Sequence, residues 1–271
     1  SFDCIGPLAR SARDCARVLA MIAGEDAADV TASRRPVPDY EAALDGDLSG
    51  MRIGVVGGPF VEDASDAVRT RLDDALAVLA GRGARVEPVT LPLAKEIAAY
   101  SAVASRVEVA AQHAAWMQER AGDYAIHVSA RMYPGYAIPG VCYVTAMRQR
   151  GAVLEAFCRE AFAKVDVLAM PTLRRTPPTI AESDVDAGVE GAVEAFLSLS
   201  ANTRAVSYLG LPAISVPMGL DDNAMPTGLQ LVGRPFAEER LLRIADAFQR
   251  DTAWHRARPA ALAPAMADAP H

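Results

Sequence analysis

The sequence predicts an α/β fold: a mixed, mostly parallel sheet covered by helices on both faces. Two patterns and one bound carry that expectation. Five short apolar runs alternate with helical patterns along the chain, which is the order of an α/β sheet and not of a sandwich or a bundle. Residues 51–92 have the order strand, helix, strand, a unit that crosses over right-handed onto a parallel pairing. With 271 residues, 51% of them hydrophobic and 23% charged, the chain is long enough to bury a core on each side of such a sheet.

The elements follow in order. Ser11 with Asp14 three residues on predicts a capped helix start; Cys15, Val18, Leu19 and Ile22 then share a face until Gly24 stops the helix. Periodicity vanishes over residues 25–50, which read as a surface strap with a short helix near Tyr40 to Leu44. MRIGVVGG (51–58) is an apolar strand, Ser65 caps a helix facing inward with Val68, Leu72, Leu76 and Leu79, and ARVEPVTLP (84–92) is a second strand. Residues 94–163 hold two long helices, 94–120 and 141–163, separated by a loop rich in Tyr, Pro and Gly around 133–140. VDVLAMPT (165–172) is a buried strand stopped by proline; a helix near 190–199, strands from Ala213 and Gly228, and a helix over 237–250 complete the pattern. Residues 255–271 form an Ala/Pro-rich tail.

Composition excludes several classes of function. Every apolar stretch is broken by Arg, Asp or Gly before it is long enough to span a bilayer. The net charge of −7 arises from dispersed acids, and the 27 basic residues include only Lys95 and Lys164 as lysines, so there is no basic footprint for nucleic acid. Cys4, Cys15, Cys142 and Cys158 form neither a CxxC pair nor a Cys/His cluster, and His113, His127, His255 and His271 lie far apart. The expectation is a reduced, cytoplasmic protein with no metal and no cofactor, Cys15 and Cys158 serving as small core residues.

Gly54, Gly57 and Gly58 follow a strand, but their G-x-x-G-G spacing lacks the dinucleotide fingerprint and predicts a tight turn. Neither a G-x-S-x-G elbow nor a P-loop occurs. A serine at position 1 suits an N-terminal nucleophile whose own amine is the base. Such hydrolases stack antiparallel sheets, against the alternation seen here.

Three segments carry a family resemblance. SFDCIGPLAR (1–10) resembles the S-x-D-x-x-G-P-x-A-R segment of the amidase signature family, and PVPDY followed by LSGMRIGV resembles that family's connector and next strand. YLGLPAISVPMG (208–219) with MPTGLQLVGRPFAEERLLRIADAF (225–248) is similar to its G-L-P-A-x-S-x-P and P-x-G-x-Q endings. The resemblance implies that residues 1–254 are the C-terminal half of an amidase signature domain: strap 25–50, βαβ unit 51–92, long helices 94–163. The family's nucleophilic serine, bridging serine and lysine belong upstream of the segment matching Ser1. No catalytic residue is therefore expected here, and the N-terminal half of the same protein is the expected partner, with a small-molecule amide as substrate and a homo-oligomer as an open option.

The implied activity is hydrolysis of a carboxylic amide through an acyl-serine, this half completing the sheet and the pocket. A truncated relative kept as a binding or scaffold module is the alternative. Ligands in open α/β sheets lie beyond the carboxyl ends of strands, which picks out Pro171, Thr172, Leu173 and Arg174. The family carries a tyrosine and, seven residues on, an arginine in the helix that here bears Tyr143 and Arg150. In its glutamine-using branch that arginine holds the substrate carboxylate; a structural ion pair is the other reading of Arg150. ANTRAVSYLG (201–210) keeps Thr203 of the family's T-x-P-x-N but has Ala205 and Ser207 in place of its proline and asparagine, and Ser200 where the amidotransferase branch has an acid. Arg204 thereby becomes either a pocket residue or a solvated surface arginine.

Overall fold

The structure, a computed structural model, describes residues 1–188 and 190–259. Five strands, β1 (Arg52–Val56), β2 (Arg85–Val89), β3 (Val167–Pro171), β4 (Ala213–Leu220) and β5 (Pro226–Gly233), form one sheet in the order β2-β1-β3-β5-β4. The first three run parallel, with Ile53 opposite both Val86 and Val167. β5 is antiparallel to β3, Ala169 facing Leu231, and to β4, Ser215 facing Gln230. The reversal follows from the connection between β4 and β5: a turn in which the Asp221 carboxylate accepts the backbone N–H groups of Asn223 at 2.9 Å and Met225 at 2.8 Å. The sheet is therefore mixed, as the sequence predicts.

Helices in chain order are α1 (Ala12–Ile22), α2 (Pro59–Glu62), α3 (Asp66–Gly81), α4 (Ala94–Arg120), α5 (Ile126–Ala137), α6 (Gly140–Ala161), α7 (Ile180–Ser183), α8 (Ala192–Ser198), α9 (Arg204–Leu209) and α10 (Glu238–Asp251). They cover both faces. β3, buried at every position, sends Val167 and Ala169 to the side of α3 and α10, and Leu168 and Met170 to the side of α4, α6 and α9. That double burial explains the unbroken apolar run in its sequence. On α3 the Ser65 hydroxyl accepts the Val68 N–H, and Val68, Leu72, Leu76 and Leu79 are all buried. Each such side chain contributes about 1.5–3 kcal/mol by leaving water.

Three local expectations are corrected. α1 is capped by Ser11 as expected, but the face it docks on α10 runs through Ala12, Ala16 and Leu19, with Cys15, against Tyr40, Leu44 and Leu242. Val18 is 40% and Ile22 51% exposed. The small alanines permit close approach, and an apolarity pattern weighted toward large side chains misplaces that face. Tyr40 to Leu44 form turns and not a helix, although both end residues are buried and anchor the strap. The Tyr/Pro/Gly stretch expected as a loop is α5, which continues through Pro134. Tertiary contact overrides propensity there: a Cβ on Gly135 would collide with the Arg106 carbonyl oxygen, so glycine lets α5 press onto α4, and the Tyr136 hydroxyl donates to the Ala110 carbonyl at 3.0 Å. Of the tail 255–271, residues 260–271 lie outside the described residues.

Candidate functional site

The parallel strands β1, β2 and β3 end on one edge of the sheet, and a single asparagine organises the chain there. Asn202 is 1% exposed; its amide donates to the carbonyls of Phe60 at 3.1 Å and Pro171 at 2.9 Å, and its side-chain oxygen accepts Arg174 Nε at 2.8 Å. Its backbone oxygen accepts Gln230 Nε2 at 3.1 Å. Arg174 also pairs with Asp63 at 3.0 Å and lies over the Phe60 ring. One residue thus fixes the turn after β1, the end of β3, β5 and the entry to α9. Thr172 shares a 2.6 Å hydroxyl contact with Ser215, and the space between them is held by Gly228, where a Cβ would meet both oxygens near 3 Å. Leu173, half-buried, follows.

Tyr143 and Arg150 lie two turns apart on α6 and meet different surroundings. The Tyr143 hydroxyl donates to Glu108 of α4 at 3.2 Å, and the same carboxylate accepts the Ser1 hydroxyl at 2.7 Å and the Ser1 nitrogen at 2.9 Å. Burial pushes the Glu108 pKa up, and the hydrogen bonds from the Ser1 and Tyr143 hydroxyls pull it down. Burial, then the Glu108 charge and hydrogen bond, raise the tyrosine pKa and keep the phenol protonated. Arg150 has no acidic partner among the described residues: it reaches the Ser207 carbonyl at 3.4 Å and stacks 5.7 Å from the Tyr208 ring and 6.0 Å from the Phe2 ring.

Arg204 lines an open cleft of about 550 Å³ between α4, α5 and the α8 to α9 stretch, together with Arg106, Arg131, His127 and Phe196. Its guanidinium donates to the Ser200 hydroxyl at 2.7 Å. Burial, and then the charges of Arg131 and Arg106, lower its pKa from the usual arginine value. It is half-buried. A second cavity, of about 30 Å³, lies among Phe60, Ile97, Phe157, Met170 and Val206 and has room for little more than a water.

The predicted residues thus fall into three neighbourhoods: Thr172 to Arg174 at the β3 edge, Tyr143 and Arg150 on α6, and Arg204 in the cleft, two residues beyond Asn202. Sequence reasoning missed Asn202, Glu108, Ser215, Arg106 and Arg131. Helical phasing puts Arg106 and Glu108, two residues apart on α4, on roughly opposite faces of a long helix, but nothing local says which faces the cleft. Among the described residues no group of His, Cys, Asp or Glu is placed to hold a metal ion.

A mixed sheet with helices on both faces, its parallel strands ending beside an open polar cleft, defines an α/β protein of the ligand-pocket type. The amidase family model matches residues 1–242, and the chain belongs to the amidase signature family. It is 35% identical over 283 residues to the glutamyl-tRNA(Gln) amidotransferase A subunit of Roseiflexus sp. (strain RS-1), covering 96% of this chain and 56% of that protein. Its fold is similar, at TM-score 0.79 and 27% identity over 91% of this chain and 53% of the other, to a vestigial protein complex that reveals the evolutionary origins of an s-triazine catabolic enzyme. The glutamyl-tRNA(Gln) amidotransferase A subunit of Thermotoga maritima matches at TM-score 0.70 and 28% identity, over 91% of this chain and 52% of that one. The chain spans about half the length of the relatives it matches. No helix among the described residues is long and apolar enough to cross a membrane.

Proposed function

We propose that this chain supplies the sheet and the pocket wall of an amide hydrolase acting through an acyl-serine, with the nucleophile, the bridging serine and the lysine base outside Ser1–His271. In that chemistry the serine oxygen attacks the amide carbonyl, ammonia or an amine leaves, and water releases the acid. The observation that supports this division is that, among the described residues, no serine or threonine hydroxyl is hydrogen-bonded to a lysine or histidine. The closest hydroxyl pair, Thr172 and Ser215, has no base beside it.

Each predicted residue then has a task. Thr172 and Leu173 form the rim beyond β3, and Arg174 is a positioning residue held by Asn202 and Asp63. Arg150, with only a carbonyl and two rings around its charge, is free to take a substrate carboxylate in a two-pronged hydrogen bond. Tyr143 forms pocket wall, its hydroxyl occupied by Glu108. Ser200 in the place of an acid directs the reading toward carboxylic amides in general and away from glutamine. The partner is the N-terminal portion of the same protein.

The test is ammonia release from a panel of amides by the 271-residue chain alone and by the chain joined to the N-terminal portion of an amidase relative. The expected result is no turnover above buffer for the first and turnover for the second, because oxyanion donors and nucleophile must be positioned together. Activity of the chain alone, abolished by Ser1→Ala or Ser215→Ala, overturns the proposal.

A further inference from the structure

The cleft holding Arg204 is electrostatically one-sided. Arg106 from α4, Arg131 from α5 and Arg204 from α9 line it, and none has an acidic partner among the described residues. Arg204 has only the neutral Ser200 hydroxyl, and Arg131 lies 5.1 Å from the Phe196 ring. The nearby carboxylate, Asp186, is taken by His127 on the same wall, with Nδ1 to oxygen at 3.0 Å and a second bond from the His127 backbone N–H. Among the described residues, three cations from three separate elements therefore share one open volume without a counter-charge, an arrangement that raises the energy of the empty cleft and that an anion relieves. Much of the rest of the wall is apolar, with Val193, Phe196 and Leu197 from α8 forming one side beside the polar Ser105 and His127. A compact inorganic anion leaves that surface uncovered. An organic anion with an apolar body covers it.

We propose that this cleft binds a small organic carboxylate with an apolar body, its charge held by Arg106, Arg131 and Arg204 and its body laid against Phe196, Val193 and Leu197. That the ligand is the acyl portion of the substrate or its acid product rests on the amidase reading; the binding itself does not. The cleft volume of about 550 Å³ accommodates a ring with a short acidic arm.

The experiment is calorimetric titration of the 271-residue chain with 3-phenylpropionate and with its neutral counterpart 3-phenylpropanol. The carboxylate is expected to bind, at least tenfold more tightly than the alcohol, with an affinity that falls as salt rises. Arg204→Met and Arg131→Met should each weaken it roughly tenfold or more. Arg148→Met, an exposed arginine of α6 outside the cleft, should leave it unchanged. Circular dichroism separates a folding defect from lost binding, and Arg131→Lys, which keeps the charge at an exposed position, provides a second route if Arg204→Met does not fold. Equal binding of acid and alcohol, indifference to the arginine substitutions, or no binding of either up to solubility overturns the proposal. None of these readouts requires catalysis, so a failed amidase assay leaves the result interpretable.

Discussion

Replacing Asn202 by leucine, close to it in volume, removes three hydrogen bonds at one buried point. Two are neutral, from the amide to the carbonyls of Phe60 and Pro171, and one is to a charged donor, Arg174. At about 1 kcal/mol for each neutral bond and about 1.5–3 for the charged one, the sum is roughly 3–5 kcal/mol. Arg174 keeps its bond to Asp63 and some access to water, so a net loss of about 2–4 kcal/mol is expected. The bond from Gln230 to the Asn202 backbone persists and needs no correction. Urea unfolding followed by tryptophan fluorescence and circular dichroism reads the change as a shifted midpoint at constant slope. Asn202→Asp is the companion variant: it preserves the acceptor for Arg174 but turns an oxygen toward two carbonyls, and should be at least as destabilising. A loss below about 1 kcal/mol for the leucine variant, or a neutral aspartate variant, would refute the idea that this amide ties the strand ends together.

Three further outcomes are expected. The Asp166 pKa is lowered foremost by the side-chain bond from Arg52, against burial, and further by the Arg52 backbone N–H and charge and by Arg240. Its stabilisation is present above the unfolded carboxylate value near ~3.9 and is lost as pH falls through the lower folded value, so the stability gap between wild type and Asp166→Asn should close below about pH 4; a gap constant over the acid range contradicts this. Gly135→Ala should cost about 1–3 kcal/mol by forcing α5 off α4, although alanine is the better helix former, and a gain in stability would show that the close approach does not matter. Leu8 and Met21 are 102% and 84% exposed, so the chain should bind an apolar-surface dye and self-associate; Leu8→Ser with Met21→Gln should reduce both, as read by dye fluorescence and sedimentation.

The parts of the fold legible in the sequence are those where the signal is local. β3 announces itself because burial on both faces demands a continuous apolar run, and α3 because a serine cap precedes large side chains at helical spacing. α5 is hidden because its composition favours a turn, and only the crossing of α4 at Gly135 stabilises a helix through Pro134. The docking face of α1 is obscured for a related reason: Ala12 and Ala16 bury completely but register weakly as apolar residues. At the site, Thr172 to Arg174 can be placed from the end of a strand alone. The cleft cannot, because Arg106, Arg131 and Arg204 are separated by long stretches of chain and become neighbours only when three helices pack. Asn202 is hidden by the same circumstance, since its partners lie 142, 31 and 28 residues away.

The seating of α1 on α10 has a consequence for the order of events during synthesis. The Ala12 backbone N–H donates to the Gln249 side chain at 2.8 Å across 237 residues of sequence. On a ribosome adding about 5–20 residues each second, the interval between the emergence of those two partners is on the order of ten to fifty seconds. Throughout that interval the residues of α1 have left the exit tunnel while their seat has not yet been translated. The nascent chain therefore carries an unplaced amphipathic segment throughout the synthesis of residues 23–249. A chaperone that recognises short apolar stretches has its longest opportunity at residues 12–22, and the whole of α10 must clear the tunnel before that opportunity ends.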